Sequence, residues 1–247
     1  MTFSQTKLER PSAASLHTKL FADGADRDGI AKLAQNPLIA GFTTNPTLMR
    51  KAGITDYEAF ALEILTIVGT RPISFEVFAD DMDEMRRQAR KIATWGNNVY
   101  VKIPVTNTQA VSTAPLVREL TADGIKLNVT ALMTTDQVAE MTSALDGSPG
   151  AFISVFAGRI ADTGRDPVPM MRESVSIMSS NSNLELIWAS PRELLNVFQA
   201  NEAGVHVITA TSDLLAKLSL VGKDLVDYSL DTVKMFARDA EAAGFSL

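Results

Sequence analysis

The chain has 247 residues, of which 46% are hydrophobic, and a formal net charge of −6. This length suits one α/β barrel as well as two small domains, and we expect a single domain spanning residues 1–247. The acidic balance, without any run rich in lysine or arginine, argues against nucleic acid and anionic membrane as partners.

Cysteine is absent from the chain, and histidine occurs only as His17 and His206. The chain therefore has no disulfide, thiol nucleophile or thiolate metal ligand, which is typical of a reducing cytosol. The two histidines lie far apart in sequence, so we expect no metal site and interpret His206 as structural. Residues 1–10 do not resemble a secretory signal, and the longest apolar stretch, around residues 59–68, is too short to cross a bilayer. We expect a cytoplasmic protein.

Short apolar runs and helix-period segments alternate along the chain. The runs fall near residues 18–22, 38–43, 72–78, 98–105, 125–131, 151–157, 184–189 and 205–210. Between them, apolar residues recur with the helical period, most clearly in residues 57–68 and 82–92. Strict alternation favours parallel strands joined by right-handed crossovers, and eight such units predict a closed (β/α)8 TIM barrel of the α/β class.

An open, doubly wound sheet is the alternative fold, although no glycine-rich nucleotide loop follows any early strand. Gly96, Gly124 and Gly204 each precede a predicted strand, where the preceding helix needs a left-handed terminal residue. We interpret residues 1–16 as a polar lead-in and residues 226–242 as an added C-terminal helix.

The segment Ser190-Pro191-Arg192-Glu193 has the pattern of a capping box. Serine occupies the cap, proline the first helical position and glutamate the third. The pattern predicts a helix that begins directly after strand seven, with free N–H groups that favour anions near Ser190.

Lys102 lies in the β-branched run of residues 98–105, where an ammonium ion is unfavourable. Desolvation favours the neutral amine, and a neutral amine can attack a ketone to form a Schiff base. The alternative is a lysine whose stem lies along the strand while its ammonium reaches water.

Polar residues also occur near the carboxyl ends of the other predicted strands, where barrel enzymes place their chemistry. They are Asp23, Thr43, Thr44, Asn45, Glu76, Asn128, Thr130, Ser154, Arg159, Ser190 and Arg192. Alternate residues of a strand share a face, so Asn128 and Thr130 point the same way. Each residue alone is compatible with a structural cap or ion pair. Two carboxylates and a lysine inside apolar strands favour one joint site, because buried charges need partners.

Seven segments in chain order resemble the transaldolase family. They are Phe21-Ala22-Asp23, Gly41-Phe42-Thr43-Thr44-Asn45-Pro46-Thr47-Leu48, Phe75-Glu76, Val101-Lys102-Ile103-Pro104, Gly124-Ile125-Lys126-Leu127-Asn128-Val129-Thr130, Ser154-Val155-Phe156-Ala157-Gly158-Arg159-Ile160 and Ala189-Ser190-Pro191-Arg192. The resemblance implies a class I, Schiff-base enzyme on a (β/α)8 barrel, without metal or organic cofactor. It also implies sugar phosphates as small-molecule partners and assembly as a homo-oligomer.

By this resemblance, Lys102 forms the Schiff base with a ketose phosphate and Asp23 accepts the C4 hydroxyl proton. Glu76 and Thr130 move protons, through a water, while the carbinolamine forms and dehydrates. The residues implied to bind substrate are Thr43, Asn45, Asn128, Ser154 and Phe156. Those implied to bind phosphate are Arg159, Ser190 and Arg192.

The resemblance favours transaldolase: transfer of dihydroxyacetone from sedoheptulose 7-phosphate to glyceraldehyde 3-phosphate in the pentose phosphate pathway. The alternative is simple aldol cleavage, as in fructose-6-phosphate aldolase, where the positions matching Glu76 and Phe156 usually hold glutamine and tyrosine. This chain has glutamate and phenylalanine there, which favours transfer, whereas its length resembles the subfamilies that include the aldolase. A second alternative is a non-catalytic barrel that binds sugar phosphates.

Overall fold

A computed structural model describes residue 12 and residues 15–244 of the chain. The described residues divide into two compact units. One is His17–Ala216, and the other joins the residues before His17 with those after Ala216. Most of the predicted lead-in lies outside the described residues, and the expectation of a single domain stays a prediction.

Eight parallel strands pair in chain order and close into a barrel, in which β1 meets β8. They are β1 (Lys19–Asp23), β2 (Ile39–Thr43), β3 (Ile73–Glu76), β4 (Val99–Pro104), β5 (Leu127–Leu132), β6 (Ala151–Val155), β7 (Leu184–Trp188) and β8 (Val207–Thr211). Each strand overlaps one of the predicted runs. The (β/α)8 barrel is therefore confirmed, and the open doubly wound alternative is wrong.

Helices connect the strands, as the period of the apolar residues predicts. They are α1 (Arg27–Ala34), α2 (Pro46–Lys51), α3 (Tyr57–Val68), α4 (Met82–Ala93), α5 (Ala114–Ala122), α6 (Thr135–Ala144), α7 (Ala157–Ala161), α8 (Val168–Met178), α9 (Leu195–Glu202) and α10 (Ser212–Ala216). The connections after β2 and β6 each contain two helices. Crossovers of this kind leave the carboxyl ends of all eight strands at one end of the barrel.

An apolar layer fills the barrel below this end. Phe21, Phe152, Ile187, Ala189 and Val207 form a buried cluster there. The ring of Phe21 occupies the space beside the glycine at position 41 of β2, where a Cβ would lie 2.4 Å from the ring carbon Cζ. The strands therefore carry apolar residues into this layer and polar residues toward their carboxyl ends.

Two of the three glycines predicted to end helices do so. Gly124 and Gly204 both have φ of +75°, a conformation that glycine adopts without a steric penalty. Gly96 is not in the left-handed region, so that prediction is wrong. Glycine suits this position because of close packing, since a Cβ there would lie 3.1 Å from Oδ1 of Asn98.

The unit that includes the chain's C-terminal part contains a 3-10 turn, Lys217–Leu220, and helix α11, Leu225–Ala243. The helix includes residues 226–242, where a helix was predicted. Asp224 caps its N-terminus with a side chain that accepts hydrogen bonds from the first turn, and left-handed Gly244 caps its C-terminus. No residue of α11 is buried. Among the described residues, no helix combines the length and apolar character needed to cross a membrane.

Candidate active site

Lys102 is buried on β4, with 6% of its surface exposed. Its Nζ lies 3.0 Å from Oε2 of Glu76 and donates a hydrogen bond to the carbonyl oxygen of Thr44 at 3.1 Å. This geometry excludes the alternative in which the ammonium reaches bulk water. A lysine held among a carboxylate and a carbonyl can exchange its proton locally, which is what a lysine nucleophile requires.

The register of the strands brings the polar side chains together. Glu76 on β3 is level with Lys102 on β4, and Lys102 is level with Asn128 on β5. Residues level on adjacent parallel strands share a face of the sheet, so these three side chains point into the barrel. Asn128 accepts a hydrogen bond from Ser154 Oγ at 2.7 Å and donates one to Ser74 Oγ at 2.9 Å. The amide is thereby fixed in orientation.

Thr130 lies two residues beyond Asn128 on the same face of β5. Its hydroxyl is buried and has no hydrogen-bond partner among the described residues. The next residue, Ala131, has φ of +66°, and the pairing with β6 shifts register at this point. A buried hydroxyl without a partner costs about 1–3 kcal/mol. The Thr130 hydroxyl is therefore free to bond to a molecule that enters the barrel.

Asp23, at the end of β1, is the second carboxylate of the site. It accepts a hydrogen bond from Thr43 Oγ1 at 2.7 Å, and Asn45 Nδ2 approaches its other oxygen at 3.5 Å. Burial raises the pKa of the Asp23 carboxyl above its ordinary value, while the nearby Lys102 ammonium and the Thr43 hydroxyl lower it. A carboxylate whose pKa is raised by burial is suited to accept a proton.

Asn45 has a structural task as well, because its Oδ1 accepts from the N–H of Leu48 and caps α2. This cap leaves the amide nitrogen of Asn45 as the donor that faces Asp23. The Thr43 hydroxyl lies between Asp23 and Thr209 Oγ1, which is 2.6 Å away. Thr43 is therefore placed to position Asp23, and its direct contact with substrate stays a prediction. Thr209 was not predicted, although the alternation of strand eight would place it inside the barrel.

Tyr57 supports the end of β3 from outside the barrel. Its hydroxyl donates to the carbonyl oxygen of Glu76 at 2.8 Å, and burial raises the pKa of this phenol. The ring makes edge contacts with Phe75, Phe78 and Trp95. The apolar helical period of residues 57–68 accounts for the ring of Tyr57 but does not predict its polar contact with the backbone of Glu76.

The loops after β6 and β7 touch through a glycine. A Cβ at Gly158 would lie 1.5 Å from the carbonyl oxygen of Ser190, which no rearrangement of a side chain could relieve. Glycine at this position lets the two backbones meet. The contact brings the segment that carries Arg159 beside the segment that carries Arg192.

Arg192 is held in place by two neighbours. Its Nε donates to Asp162 Oδ1 at 2.8 Å, Nη2 donates to the other oxygen of Asp162, and Nη1 donates to Ser190 Oγ at 2.9 Å. This ion pair lowers the pKa of the Asp162 carboxyl. Arg159 is exposed, and its guanidinium carbon lies 5.9 Å from the ring centre of Phe156. Asp162 was not predicted as a member of this group.

The predicted capping box at Ser190 is wrong. Ser190 has φ of +60°, and α9 begins at Leu195 instead of directly after β7. The side chain of Asn196 accepts from the backbone N–H groups of Arg192 and Glu193 and closes the intervening turn. The contact with Gly158 overrides the local pattern, so Ser190 contributes a hydroxyl and not a helix N-terminus.

His206 is structural, as predicted. Its Nδ1 accepts a hydrogen bond from the backbone N–H of Leu186 at 3.0 Å, and burial lowers the pKa of the imidazole. Among the described residues, no three metal-ligating side chains form a cluster.

The model of the family described as Transaldolase/Fructose-6-phosphate aldolase matches residues 20–247. The chain belongs to this family. The matched range spans the seven short segments, so the resemblance drawn from them is confirmed over residues 20–247.

Members of the transaldolase/fructose-6-phosphate aldolase family include relatives of similar length. A protein of Hyphomonas neptunium named probable transaldolase is 37% identical over 231 residues, which cover 93% of this chain and all of the relative. A probable transaldolase of Dehalococcoides mccartyi is 33% identical over 201 residues, covering 81% of this chain and 89% of the relative. These names support an aldolase or transferase enzyme.

Solved structures outside the family share the fold. Dihydrodipicolinate synthase from Rhodopseudomonas palustris matches 94% of this chain and 81% of its own, with a TM-score of 0.57 and 14% identity. A 2,3-dimethylmalate lyase matches 94% of this chain and 86% of its own, with a TM-score of 0.53 and 14% identity. At these identities the likeness shows the barrel alone.

Proposed function

We propose that this family member is a transaldolase, which transfers a dihydroxyacetone unit between sugar phosphates through a Schiff base on Lys102. The observation that carries the proposal is the buried Lys102 ammonium, which lies 3.0 Å from Glu76 and near Asp23, where its charge opposes the rise that burial causes in the pKa of that carboxyl. A lysine with two carboxylates in one barrel interior provides a nucleophile and two proton carriers.

In the first half of the reaction, Lys102 becomes covalently bound to the donor sugar. Transfer of its proton toward Glu76 leaves the neutral amine, which adds to the ketone carbon of the donor. The carbinolamine then loses water to give an iminium ion. Glu76 and Thr130, whose hydroxyl has no partner in the described part of the chain, supply and accept the protons of these steps, as the resemblance implies.

In the second half, the iminium withdraws electrons from the bond between C3 and C4. Asp23 accepts the C4 hydroxyl proton, the C3–C4 bond breaks, and its electron pair forms an enamine on Lys102. The aldose phosphate leaves, and the enamine carbon adds to the carbonyl of a second aldose phosphate. Asp23 returns its proton to the new hydroxyl, and hydrolysis of the iminium frees Lys102.

Polar groups on the neighbouring strands position the sugar. We assign the dihydroxyacetone unit to Asn45, Asn128 and Ser154, each of which has a hydrogen-bonding atom inside the barrel. We assign the phosphate to Arg159, Arg192 and Ser190. Three of the five N–H groups of the Arg192 guanidinium are used by Asp162 and Ser190, which leaves two for an anion.

Simple aldol cleavage is the second candidate. It requires protonation of the enamine, and Phe156 has no hydroxyl with which to assist that step. Phe156 packs against the buried cluster of the barrel, and Arg159 lies over its ring. An assay of fructose 6-phosphate with and without an acceptor aldose phosphate separates the two activities. Turnover that does not depend on the acceptor would favour the aldolase.

Borohydride reduction tests the covalent step and separates an enzyme from a barrel that only binds sugar phosphates. Incubation with fructose 6-phosphate and borohydride should add mass to the peptide that contains Lys102. The Lys102→Met variant should gain no such mass, whereas Lys126→Met, altered at the far end of the barrel, should still be labelled. An unmodified Lys102 peptide at saturating sugar would favour the binding barrel.

We propose that the dihydroxyacetone unit passes from sedoheptulose 7-phosphate to glyceraldehyde 3-phosphate, as a step of the pentose phosphate pathway in the cytoplasm. We also propose a homo-oligomer. It is supported by α11, which carries seven of the thirteen large hydrophobic side chains that are exposed among the described residues.

A further inference from the structure

A hydroxyl pair adjoins Asp23 and is not explained by the steps above. Thr209 on β8 is 6% exposed, and its Oγ1 lies 2.6 Å from Oγ1 of Thr43. The same Thr43 oxygen lies 2.7 Å from Oδ1 of Asp23. Thr209 has no other side-chain hydrogen bond within the described part of the chain.

The barrel register explains this arrangement. Strand β1 lies between β2 and β8. Thr43 is level with Asp23, while Thr209 is level with Phe21, two residues below Asp23 on the same face. The two hydroxyls therefore come from the strands that flank β1 and meet inside the barrel beside the carboxylate.

The number of hydrogens fixes the direction of the bonds. A carboxylate can only accept, so the single hydroxyl hydrogen of Thr43 points to Asp23. The contact between Thr43 and Thr209 must then be donated by Thr209. If Thr43 instead donated to Thr209, the hydroxyl hydrogen of Thr209 would need another acceptor. No such acceptor is present among the described residues. The chain of donors therefore runs from Thr209 through Thr43 to Asp23.

We propose that Thr209 is a positioning residue that holds the Thr43 hydroxyl as a donor to Asp23 and so keeps this carboxylate ready to accept the substrate proton. Consecutive hydrogen bonds polarise one another, so the Thr209 bond strengthens the bond that Asp23 receives. The catalytic meaning rests on the proposed function, whereas the direction of the hydrogen bonds does not. The other groups that act on Asp23 are Asn45 and Lys102, and Lys102 is itself paired with Glu76.

The direct test is the titration of Asp23 in three forms of the full chain. In protein labelled with 13C at the aspartate carboxyl groups, the Asp23 resonance is identified by its loss in Asp23→Asn. Thr209→Val keeps the shape of threonine without the hydroxyl, and its Asp23 should titrate about half a pH unit higher than in the wild type. Thr209→Ser keeps the hydroxyl and should titrate like the wild type.

A matched control removes another buried hydroxyl. Thr121 on α5 is buried without a hydrogen-bond partner among the described residues, so Thr121→Val should leave the Asp23 titration unchanged. If Thr209→Val does not fold, Thr209→Ala provides the same comparison. An Asp23 titration in the hydroxyl-free variant equal to that of the wild type, or a serine variant that behaves like valine, would overturn the proposal.

Kinetics connects the hydrogen bonds to the reaction. The acid limb of the pH profile of kcat/KM should move by the same half unit in Thr209→Val, a roughly three-fold loss below that limb, while KM at high pH stays unchanged. If Asp23 shifts but the wild type shows no borohydride adduct, the transaldolase proposal fails and the role of Thr209 stands. Normal transfer activity in a Thr209→Val protein whose Asp23 pKa equals that of the wild type would refute only the role of Thr209.

Discussion

Glu76 and Lys102 are level with each other on adjacent strands, and their charged groups meet at 3.0 Å inside the barrel. A pair of this kind stabilises the fold less than its Coulomb energy suggests, because both groups lose water. Removal of one partner has a larger effect, since it leaves the other charge buried and unpaired.

The pair predicts strong coupling in a double-mutant cycle. We expect Lys102→Met and Glu76→Gln each to lower the free energy of unfolding. The loss in the double variant should be about 2 kcal/mol smaller than the sum of the two single losses. Urea denaturation measures all four proteins. The exposed pair of Arg27 and Glu63 is the control, and its coupling should stay below about 1 kcal/mol. Equal coupling in both cycles would mean that burial has no special effect on Lys102.

The contact between Gly158 and Ser190 predicts a sensitive point in the phosphate site. Gly158→Ala should displace the loops after β6 and β7, lower stability by about 1–3 kcal/mol and raise KM for sugar phosphates. Gly24→Ala is the control for stability, because a Cβ there meets no atom within 4 Å and its φ is not left-handed. An unchanged KM in a folded Gly158→Ala protein would argue against phosphate binding by these loops.

The pKa of His206 predicts how stability depends on pH. Burial lowers this pKa below its ordinary value of about 6.5, so the unfolded chain binds more protons than the folded chain just below that pH. The free energy of unfolding should therefore fall by up to about 1 kcal/mol as the pH drops from 7.5 to 5.5. Glu185 opposes this shift and Lys19 adds to it.

The measurement compares two histidine variants across the same pH range. His206→Asn keeps an acceptor for the backbone N–H of Leu186 but does not titrate, and its stability should lose this dependence on pH. His17 is exposed, so His17→Asn should retain the behaviour of the wild type. A wild-type slope in the His206 variant would assign the effect to other groups.

The exposed side chains of α11 predict a change in assembly when they are made polar. Val233 and Phe236 are 59% and 62% exposed and lie three residues apart, on one face of the helix. Val233→Asn combined with Phe236→Ser should reduce the mass measured by light scattering to that of one chain. Leu62→Asn, an exposed residue of α3, is the control. A wild-type protein that is already monomeric would refute the proposed homo-oligomer.

Much of this structure follows from short-range patterns in the sequence. Period alone gives the eight strands, and strand alternation places Asn128 and Thr130 on one face. The failures occur where tertiary contacts decide. The capping pattern at Ser190 gives way to the contact with Gly158, and the ion pair of Arg192 depends on Asp162 from another loop. Neither contact has a local signature, because the partners are about thirty residues apart.

Other residues were missed for a different reason. Thr209 lies in an apolar run that predicts a strand, and only alternation compared with neighbouring strands places its hydroxyl inside the barrel. Tyr57 fits an apolar helical stripe so well that its hydroxyl received no separate interpretation. In both cases, one polar atom on a well-predicted element makes a contact that the pattern of the element does not reveal.

The closed order of the eight strands also limits how copies of this chain can associate. Every strand has a neighbour on both sides, with β8 paired to β1, so the barrel presents no open edge to which a foreign strand could add. Sheet extension, a common route to fibrous aggregates, is therefore closed to the folded barrel. Any specific complex must instead form through helices or loops, where side chains rather than backbone groups select the partner.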